Sequence, residues 1–202
     1  MTPPSYWPDD GAPIVTDASA VINLNATGHA CEILKAIQHP FVVAEEVVTE
    51  LALGIDNGRQ DAAALDRLLA RGAITKVGLG TVARDAYEAL IIGSAAETLD
   101  DGEAATIALA AEIGGTPVID ETKGRRICAM RHPSLRPIGS VDLLAHPRLV
   151  SAFGTDVLAD IVFAALTGAR MHVHASHFDW VANLIGHDRL AQCTSLPRSV
   201  RG

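Results

Sequence analysis

The sequence predicts an α/β fold in which a parallel sheet of about five strands has helices on both faces. Short apolar segments alternate with amphipathic helical segments over residues 13–146. We interpret the strand segments as too apolar to be half-exposed, which is typical of strands that are buried on both faces. Hydrophobic residues make up 49% of the chain and aromatic residues only 4%, so the core is made from small aliphatic side chains. Such a composition suits helices packed on a sheet.

The first half of this domain is predicted from strand runs and helix caps. Residues 1–12 are rich in Pro and Asp and are predicted to be a loose leader. A strand at Ile14–Thr16 ends at Asp17, and Ser19 is a plausible cap for the helix that follows, because its hydroxyl can accept from a backbone N–H. The same criteria predict a helix at 29–38, a strand at 41–44, a helix at 45–53 ended by Gly54, a polar loop at 54–60, a helix at 61–71, a strand at 74–77 and a helix at 81–92.

The second half is organised around Leu99–Ala129, which is predicted to form a helix, a turn, a buried strand, an acidic turn and another helix. Glu103 lies at the start of the first of these helices, and Asp120 lies at the end of the strand. A short strand at 136–138 and a helix that starts at Ser140 complete the domain. Residues 147–202 contain apolar helices at 157–166 and 180–185 and are predicted to be a helical extension.

Charge and cysteine content limit the functional class. The formal net charge of −8 argues against a broad basic surface for non-specific nucleic-acid binding, although carboxylates that hold divalent cations contribute to that charge. The three cysteines lie far apart, which indicates reduced thiols in a cytoplasmic protein. No apolar run approaches the roughly 18 residues of a membrane span, and the N-terminal residues lack the pattern of a signal peptide. We therefore expect a cytoplasmic protein without a membrane segment.

Four acidic residues occupy comparable places along the chain: Asp17 and Asp120 end strands, Glu103 begins a helix, and Glu50 lies on the helix after the second strand. Side chains at the carboxyl ends of parallel strands meet in one crevice. Several carboxylates in one place stay ionised only when a cation neutralises them, and oxygen ligands favour Mg²⁺ or Mn²⁺. Such a site activates water for attack on a phosphodiester.

Other side chains near these acids have alternative interpretations. Glu46 lies one turn before Glu50 and can substitute for it. Asp101 is either a loop or cap residue or an outer ligand that reaches a metal through water. Arg125 and Arg126 follow Asp120 by one to two turns, where they either hold a substrate phosphate or form ordinary ion pairs.

Two further polar groups are open to more than one interpretation. Asp142 follows Ser140 closely and is interpreted as a capping residue rather than a site residue. His172, His174 and His177 suggest zinc, but neither a helix nor a strand presents all of them on one face. We therefore interpret them as polar loop residues.

Four segments carry a family resemblance, in the order IVTDASAVINL, VVAEEVVTEL, LDDGEAATIALAAEIG and TPVIDETKGRRICA, and they span residues 13–145. With these segments the sequence resembles the PIN-domain nucleases, particularly the VapC-like toxin ribonucleases and their stand-alone relatives. The resemblance implies a three-layer PIN-like domain and an endoribonuclease that depends on Mg²⁺ or Mn²⁺. It also implies a homodimer, often one held inactive by an antitoxin protein.

The resemblance also assigns site residues. The four acids of the family fall on Asp17, Glu50, Glu103 and Asp120, as catalytic residues and metal ligands, and Ser19 is the supporting hydroxyl. Glu121 stands where a second Asp is frequent, so either side chain can serve there. The extension at 147–202 is longer than such proteins usually carry. A catalytically silent PIN-like module that binds a partner in a complex is therefore the alternative function.

Overall fold

The sheet is parallel and has four strands within the part of the chain that the computed structural model describes, residues 7–8, 11–53 and 60–201. Its strand order is β3-β2-β1-β4, and Ile14 of β1 stands opposite Phe41 of β2 and Thr116 of β4. The strands are β1 Ile14–Thr16, β2 Phe41–Ala44, β3 Thr75–Val77 and β4 Thr116–Val118. The rest of the predicted leader, the end of a helix at Gly54 and the predicted loop at 54–59 lie outside the described residues.

Helices flank this sheet, so the predicted α/β architecture is confirmed. Over residues 29–92 the predicted helices and strands agree with the observed ones to within one residue at either end. The helices of the described residues are α1 Ala18–Ala26, α2 Ala30–Ile37, α3 Glu45–Leu53, α4 Asp61–Ala70, α5 Thr81–Ile91, α6 Asp101–Ile113, α7 Thr122–Arg131, α8 Ser140–Leu144, α9 Pro147–Gly168, α10 Phe178–Ile185, α11 His187–Leu190 and α12 Arg198–Arg201, with a 3₁₀ turn at Ala175–His177 before α10.

The fifth strand that we predicted at Arg136–Ile138 is wrong. Ile138 forms an isolated bridge to β4, in which its N–H donates to the Pro117 carbonyl (3.0 Å) and its carbonyl accepts from Ile119 N–H (2.8 Å). The ladder does not continue because Pro137 has no N–H to donate and α8 begins directly after residue 139. The segment is therefore too short for a strand.

The predicted cap of α1 also differs from the observed one. Asp17 is the N-cap residue, since its Oδ1 accepts from Ala20 N–H at 2.7 Å and its backbone is extended. Ser19 lies inside the first turn of the helix, so its prediction as the cap is wrong. An N-cap needs non-helical backbone immediately before the helix, and here the end of β1 places Asp17 in that position.

Helix α6 is the main helix against the sheet, because it packs on β1, β2 and β4. Its small side chains Ala105 and Ala108 are fully buried in the cluster that contains β1 and β2, and they let the helix approach closely. At its other end, the carboxylate of Glu112 accepts from the N–H groups of Gly80 and Ala83 at the start of α5 (3.0 and 3.2 Å). This contact fixes α5 alongside α6.

The C-terminal helices share the core of the sheet domain. Helix α9 packs against α1, α2, α8 and α10, and its side chains join the cluster that contains β1 and β2. It begins at Pro147 rather than at Val157, because two helical segments run together across a break at Gly154 (φ +76°). In the described residues it is also the one helix whose length and mean hydropathy (1.8) fit a membrane span. Its packing against four helices is instead that of a core helix.

Candidate functional site

The four predicted acids lie around the carboxyl ends of the central strands. Asp17 follows β1 and Asp120 follows the neighbouring strand β4, while Glu103 stands in the first turn of α6 and Glu50 in the last turn of α3. The negative charges of Asp120, Glu103 and Glu50 each raise the pKa of Asp17, in that order of size. The structure therefore brings the other three carboxylates within electrostatic range of Asp17.

Asp17 is the most buried of these acids, with 2% of its surface exposed. Burial raises the pKa of its carboxyl well above the usual range, and the charge of Asp120 raises it further. The hydrogen bond from Ala20 N–H opposes this rise but occupies Oδ1 alone. The carboxylate therefore caps α1 with one oxygen and keeps the other for a ligand.

Glu103 has an oxygen without a hydrogen-bond partner in the described part of the chain. This atom, Oε1, is buried, and burial raises the pKa of Glu103 to about 7, with further increases from Glu121 and Asp100. The cation of Lys123 opposes the rise. On α7, Gly124 lies directly against Oε1, where a Cβ atom would collide with it. Because Gly124 has no side chain, the carboxylate of Glu103 fits against α7.

Asp120 is held in one orientation by three hydrogen bonds. Its Oδ1 accepts from Ser140 N–H (2.7 Å), and its Oδ2 accepts from Ser140 Oγ (2.6 Å) and Asn23 Nδ2 (2.8 Å). Burial raises the pKa of Asp120, and the two bonds from Ser140 oppose that rise. Sequence reasoning missed the positioning role of Asn23 and Ser140. The available signal was a polar residue, Asn23, between the apolar residues Ile22 and Leu24 of the helix that follows Asp17.

Glu50 is exposed at the end of α3, yet its carboxylate reaches α6. Its Oε2 occupies the space that a Cβ atom on Gly102 would need, and its charge raises the pKa of both Asp17 and Glu103. Glu46 is half-buried, and its charge contributes to the raised pKa of Tyr87. The structure thus favours Glu50 as the member from α3, while both glutamates line one open acidic cleft of about 780 Å³.

The predicted supporting residues lie on two sides of the four acids. Ser19 and Glu121 line a recess of about 480 Å³ that also contains Asp120, and we call it the Asp120 recess. Asp101 faces the opposite, acidic cleft, where its Oδ1 accepts from Tyr87 Oη at 2.8 Å. Burial, followed by this hydrogen bond, raises the pKa of Tyr87 to about 12. The two sides give the site two approaches.

Arg125 and Arg126 are engaged with the protein backbone. Arg125 donates to the carbonyls of Ile119 (3.1 Å) and Pro137 (2.9 Å), and Arg126 donates to the carbonyl of Ala96 (2.8 Å). Neither guanidinium lines the Asp120 recess. The substrate-binding role that we predicted for them stays a prediction, and their observed contacts fix the chain around β4 and α7.

Asp142 links α8 to the C-terminal extension. Its Oδ2 accepts from Gly139 N–H (2.7 Å), which is the predicted capping role, and its Oδ1 lies 2.9 Å from His177 Nε2. His174 is half-buried, and burial lowers its pKa to about 4. His172 is exposed and lines the Asp120 recess. The rings of His172 and His174 meet edge to face with their centroids 5.1 Å apart, while His177 contacts Asp142.

The donor chemistry of the acids fits a divalent cation. All four side chains offer carboxylate oxygens, the ligands that Mg²⁺ and Mn²⁺ prefer. Glu103 Oε1 is buried without a partner, and the pKa values of Asp17 and Glu103 are raised first by burial and then by neighbouring negative charges, both of which a bound cation would offset. Among the described residues, no group of three or more His, Cys, Asp or Glu side chains is yet close enough to hold a metal ion. Binding would therefore require side-chain rotation.

Comparison with known proteins gives one match. A family model described as a PIN domain (DUF3368) matches residues 13–159, a range that contains all four acids and all four strands. Neither the curated proteins nor the solved structures include a match to this chain. The matched range ends within α9, so the later helices lie beyond it.

Proposed function

The chain belongs to the PIN-domain family, and from this premise we propose that it is an endoribonuclease dependent on Mg²⁺ or Mn²⁺. PIN domains are in general nucleases, which are hydrolases of phosphodiester bonds. We call the end of the sheet that carries Asp17, Glu50, Glu103 and Asp120 the acidic edge. The observation that carries the proposal is that the three other carboxylates of this edge raise the pKa of Asp17, which is already raised by burial. Charge repulsion of this kind costs stability unless a cation offsets it. We propose that RNA is cleaved at this edge.

Each acid has a distinct task in this proposal. Asp17, with one oxygen not used by the helix cap, and Glu103, with its unpartnered Oε1, would hold the cation. Asp120 is presented to it in a fixed orientation by Ser140 and Asn23, and Glu50 closes the side towards α3. When bound, the metal supplies an activated water and neutralises charge that develops on the phosphate.

Metal binding tests this function without a guess at the RNA target. We expect calorimetry to show that Mn²⁺ binds the wild type and fails to bind Asp17→Asn/Asp120→Asn. Asp66→Asn/Asp156→Asn removes the same charge at two exposed positions on α4 and α9 and should bind as the wild type does. Absence of binding in the wild type, or equal binding by the site double variant, would contradict an independent metal-dependent nuclease.

The same titration has an expected pH dependence. Glu103 has its pKa raised to about 7, so it is protonated at lower pH and must lose that proton before it can bind a metal. We expect the Mn²⁺ affinity to rise about tenfold between pH 6 and pH 8, since one proton is released with a pKa near 7. In Glu103→Gln the dependence should flatten. A wild-type affinity that is unchanged between these pH values would exclude Glu103 as a ligand.

A catalytically silent module that binds a partner protein is the second candidate function. It is favoured by the distances between the acids, since no three of the described ligand-type side chains form a metal-sized group. This candidate predicts no Mn²⁺ binding by the isolated chain and a stable hetero-complex.

For the nuclease, we propose a cytoplasmic homodimer that an antitoxin partner holds inactive. Light scattering of the purified chain, alone and with the product of a neighbouring small reading frame, tests these proposals.

A further inference from the structure

A groove leads away from the Asp120 recess along α1 and α4. The recess shares residues such as Ile22 and Asp61 with a second recess of about 390 Å³. That second recess shares Asn25, Ala64 and Arg67 with a third of about 190 Å³. The three are therefore continuous, and we call them together the α1–α4 groove. At the end of the groove near Asp120, residues 168–172, which follow α9, form one wall.

Three exposed arginines are spaced along this groove. Arg170 lines the end at Asp120, Arg67 lines the middle and Arg71 lines the far end. Arg67 and Arg71 are four positions apart and therefore lie on the same face of α4, with about 6 Å of rise between them. Within the described ranges, none of the three side chains has a hydrogen bond or an ion pair, and their charges remain available to a ligand.

Other basic side chains of the protein are used differently. Arg125, Arg126 and Arg148 donate to backbone carbonyls, and Arg189 pairs with Asp160 at 2.6 Å. In a chain of net charge −8, the groove thus places three cations along one continuous surface. Carboxylates also line it, from Glu32, Asp61 and Glu121. An anionic ligand would therefore be held at separate points, beside the arginines, rather than along the whole surface.

The backbone at Arg170 indicates that its side chain matters. Its φ of +57° is left-handed, a conformation that glycine or asparagine adopts at lower cost. The turn is fixed on its far side, because Met171 is buried and its N–H donates to the Ala165 carbonyl at 3.2 Å. An arginine at this position is thus unfavourable for the backbone, but it places a cation at the entrance to the Asp120 recess.

We propose that the α1–α4 groove binds the single strand of RNA that continues from the bond to be cleaved, with Arg170, Arg67 and Arg71 contacting its phosphates. This inference rests on the proposed nuclease function. The small volumes of the recesses suit one strand rather than a duplex. The separate positions of the three arginines suit a ligand whose negative charges are regularly spaced, as the phosphates of RNA are. The C-terminal extension contributes to this proposed binding surface, because its residues Arg170 and His172 line the groove.

The test measures RNA binding apart from cleavage. The probe is a labelled oligouridylate of about 12 nucleotides, whose binding to Asp17→Asn protein is followed by fluorescence anisotropy over a range of NaCl concentrations. Adding Arg67→Glu/Arg71→Glu should lower the affinity at least tenfold and reduce the slope of log K against log salt by about 1.4, or about 0.7 per lost phosphate contact. Arg170→Gly should reduce the slope by about 0.7 and leave the melting temperature nearly unchanged.

A matched variant controls for overall charge. Arg131→Glu/Arg198→Glu makes the same change in net charge at exposed positions that line none of the three recesses, and it should alter the affinity less than threefold. Equal effects of the two double variants would overturn the proposal, as would a polyglutamate peptide that binds through these arginines while RNA does not. If Mn²⁺ binding fails but RNA binding still depends on the groove arginines, the nuclease function is wrong, and the groove is an RNA-binding surface without a cleavage site.

Discussion

Asp17→Asn is expected to abolish RNA cleavage, by at least about a hundredfold, while it stabilises the metal-free protein. Asparagine keeps the N-cap because its side-chain oxygen can accept from Ala20 N–H as Asp17 Oδ1 does. The substitution also removes one of the negative charges that raise each other's pKa values. We expect a gain in the free energy of unfolding, because a neutral side chain is not penalised by burial or by the neighbouring negative charges. Urea unfolding in EDTA and cleavage with Mn²⁺ measure the two effects.

The pH dependence of this gain follows from the direction of the shifts. A carboxyl whose pKa is raised in the folded state destabilises the protein as pH rises from the unfolded pKa through the folded one. The advantage of Asp17→Asn should therefore be small in acid and grow towards pH 8. Asp17→Ala removes the cap as well and should be about 1 kcal/mol less stable than Asp17→Asn. Cleavage by Asp17→Asn at the wild-type rate would contradict the role of Asp17 in the site. A lower stability of Asp17→Asn than of the wild type in EDTA would contradict the proposed charge repulsion.

Leu166→Ala is expected to cost about 3–5 kcal/mol of unfolding free energy. The Leu166 side chain is fully buried, near the end of α9, in the cluster that also contains β1 and β2. Its loss leaves a cavity in a core that the sheet and the extension share. We expect urea unfolding followed by circular dichroism and by the fluorescence of Trp7 and Trp180 to shift to lower urea, with both signals in one transition.

Val157→Ala is the matched control for that variant. Val157 lies on the same helix with 41% of its surface exposed, so its truncation should cost less than about 1 kcal/mol. A small effect of Leu166→Ala would show that α9 does not contribute to a common core. Separate transitions for the fluorescence and the circular dichroism would show that the extension unfolds as an independent unit, in agreement with the predicted boundary at residue 147.

Local sequence signals were sufficient for most of the secondary structure. Apolar runs located β1, β2 and β4, and helical periodicity located the helices over residues 29–92 to within one residue at either end. The expectation that every strand is buried is wrong for β3, an edge strand whose residues Thr75 and Lys76 are exposed.

Local signals were insufficient at Arg136–Ile138, where an apolar residue next to a proline suggested a strand. Whether such a segment joins a sheet depends on available N–H groups, and Pro137 has none. The cap of α1 required the backbone geometry at the end of β1, which places Asp17 ahead of Ser19.

The candidate site was only partly predictable for a different reason. The four acids could be named because strand ends and helix starts are local features. The contacts that orient Asp120 come from Ser140, 20 positions later, and from Asn23, 97 positions earlier. Such pairs are determined by tertiary packing, and neither residue type is diagnostic alone. The same limit applies to Arg125, whose backbone contacts a sequence pattern does not reveal.

The five-residue helix α8 carries two attachments at once. Ser140 binds the carboxylate of Asp120, and two positions later Asp142 contacts His177 in the middle of the extension. Positions 140 and 142 move together because they share one helical turn. The extension therefore helps to hold Asp120 in its orientation at the acidic edge. A nonsense mutation or a protease cut within α9 would remove His177 and its contact with Asp142, so we expect the shortened chain to hold Asp120 less firmly.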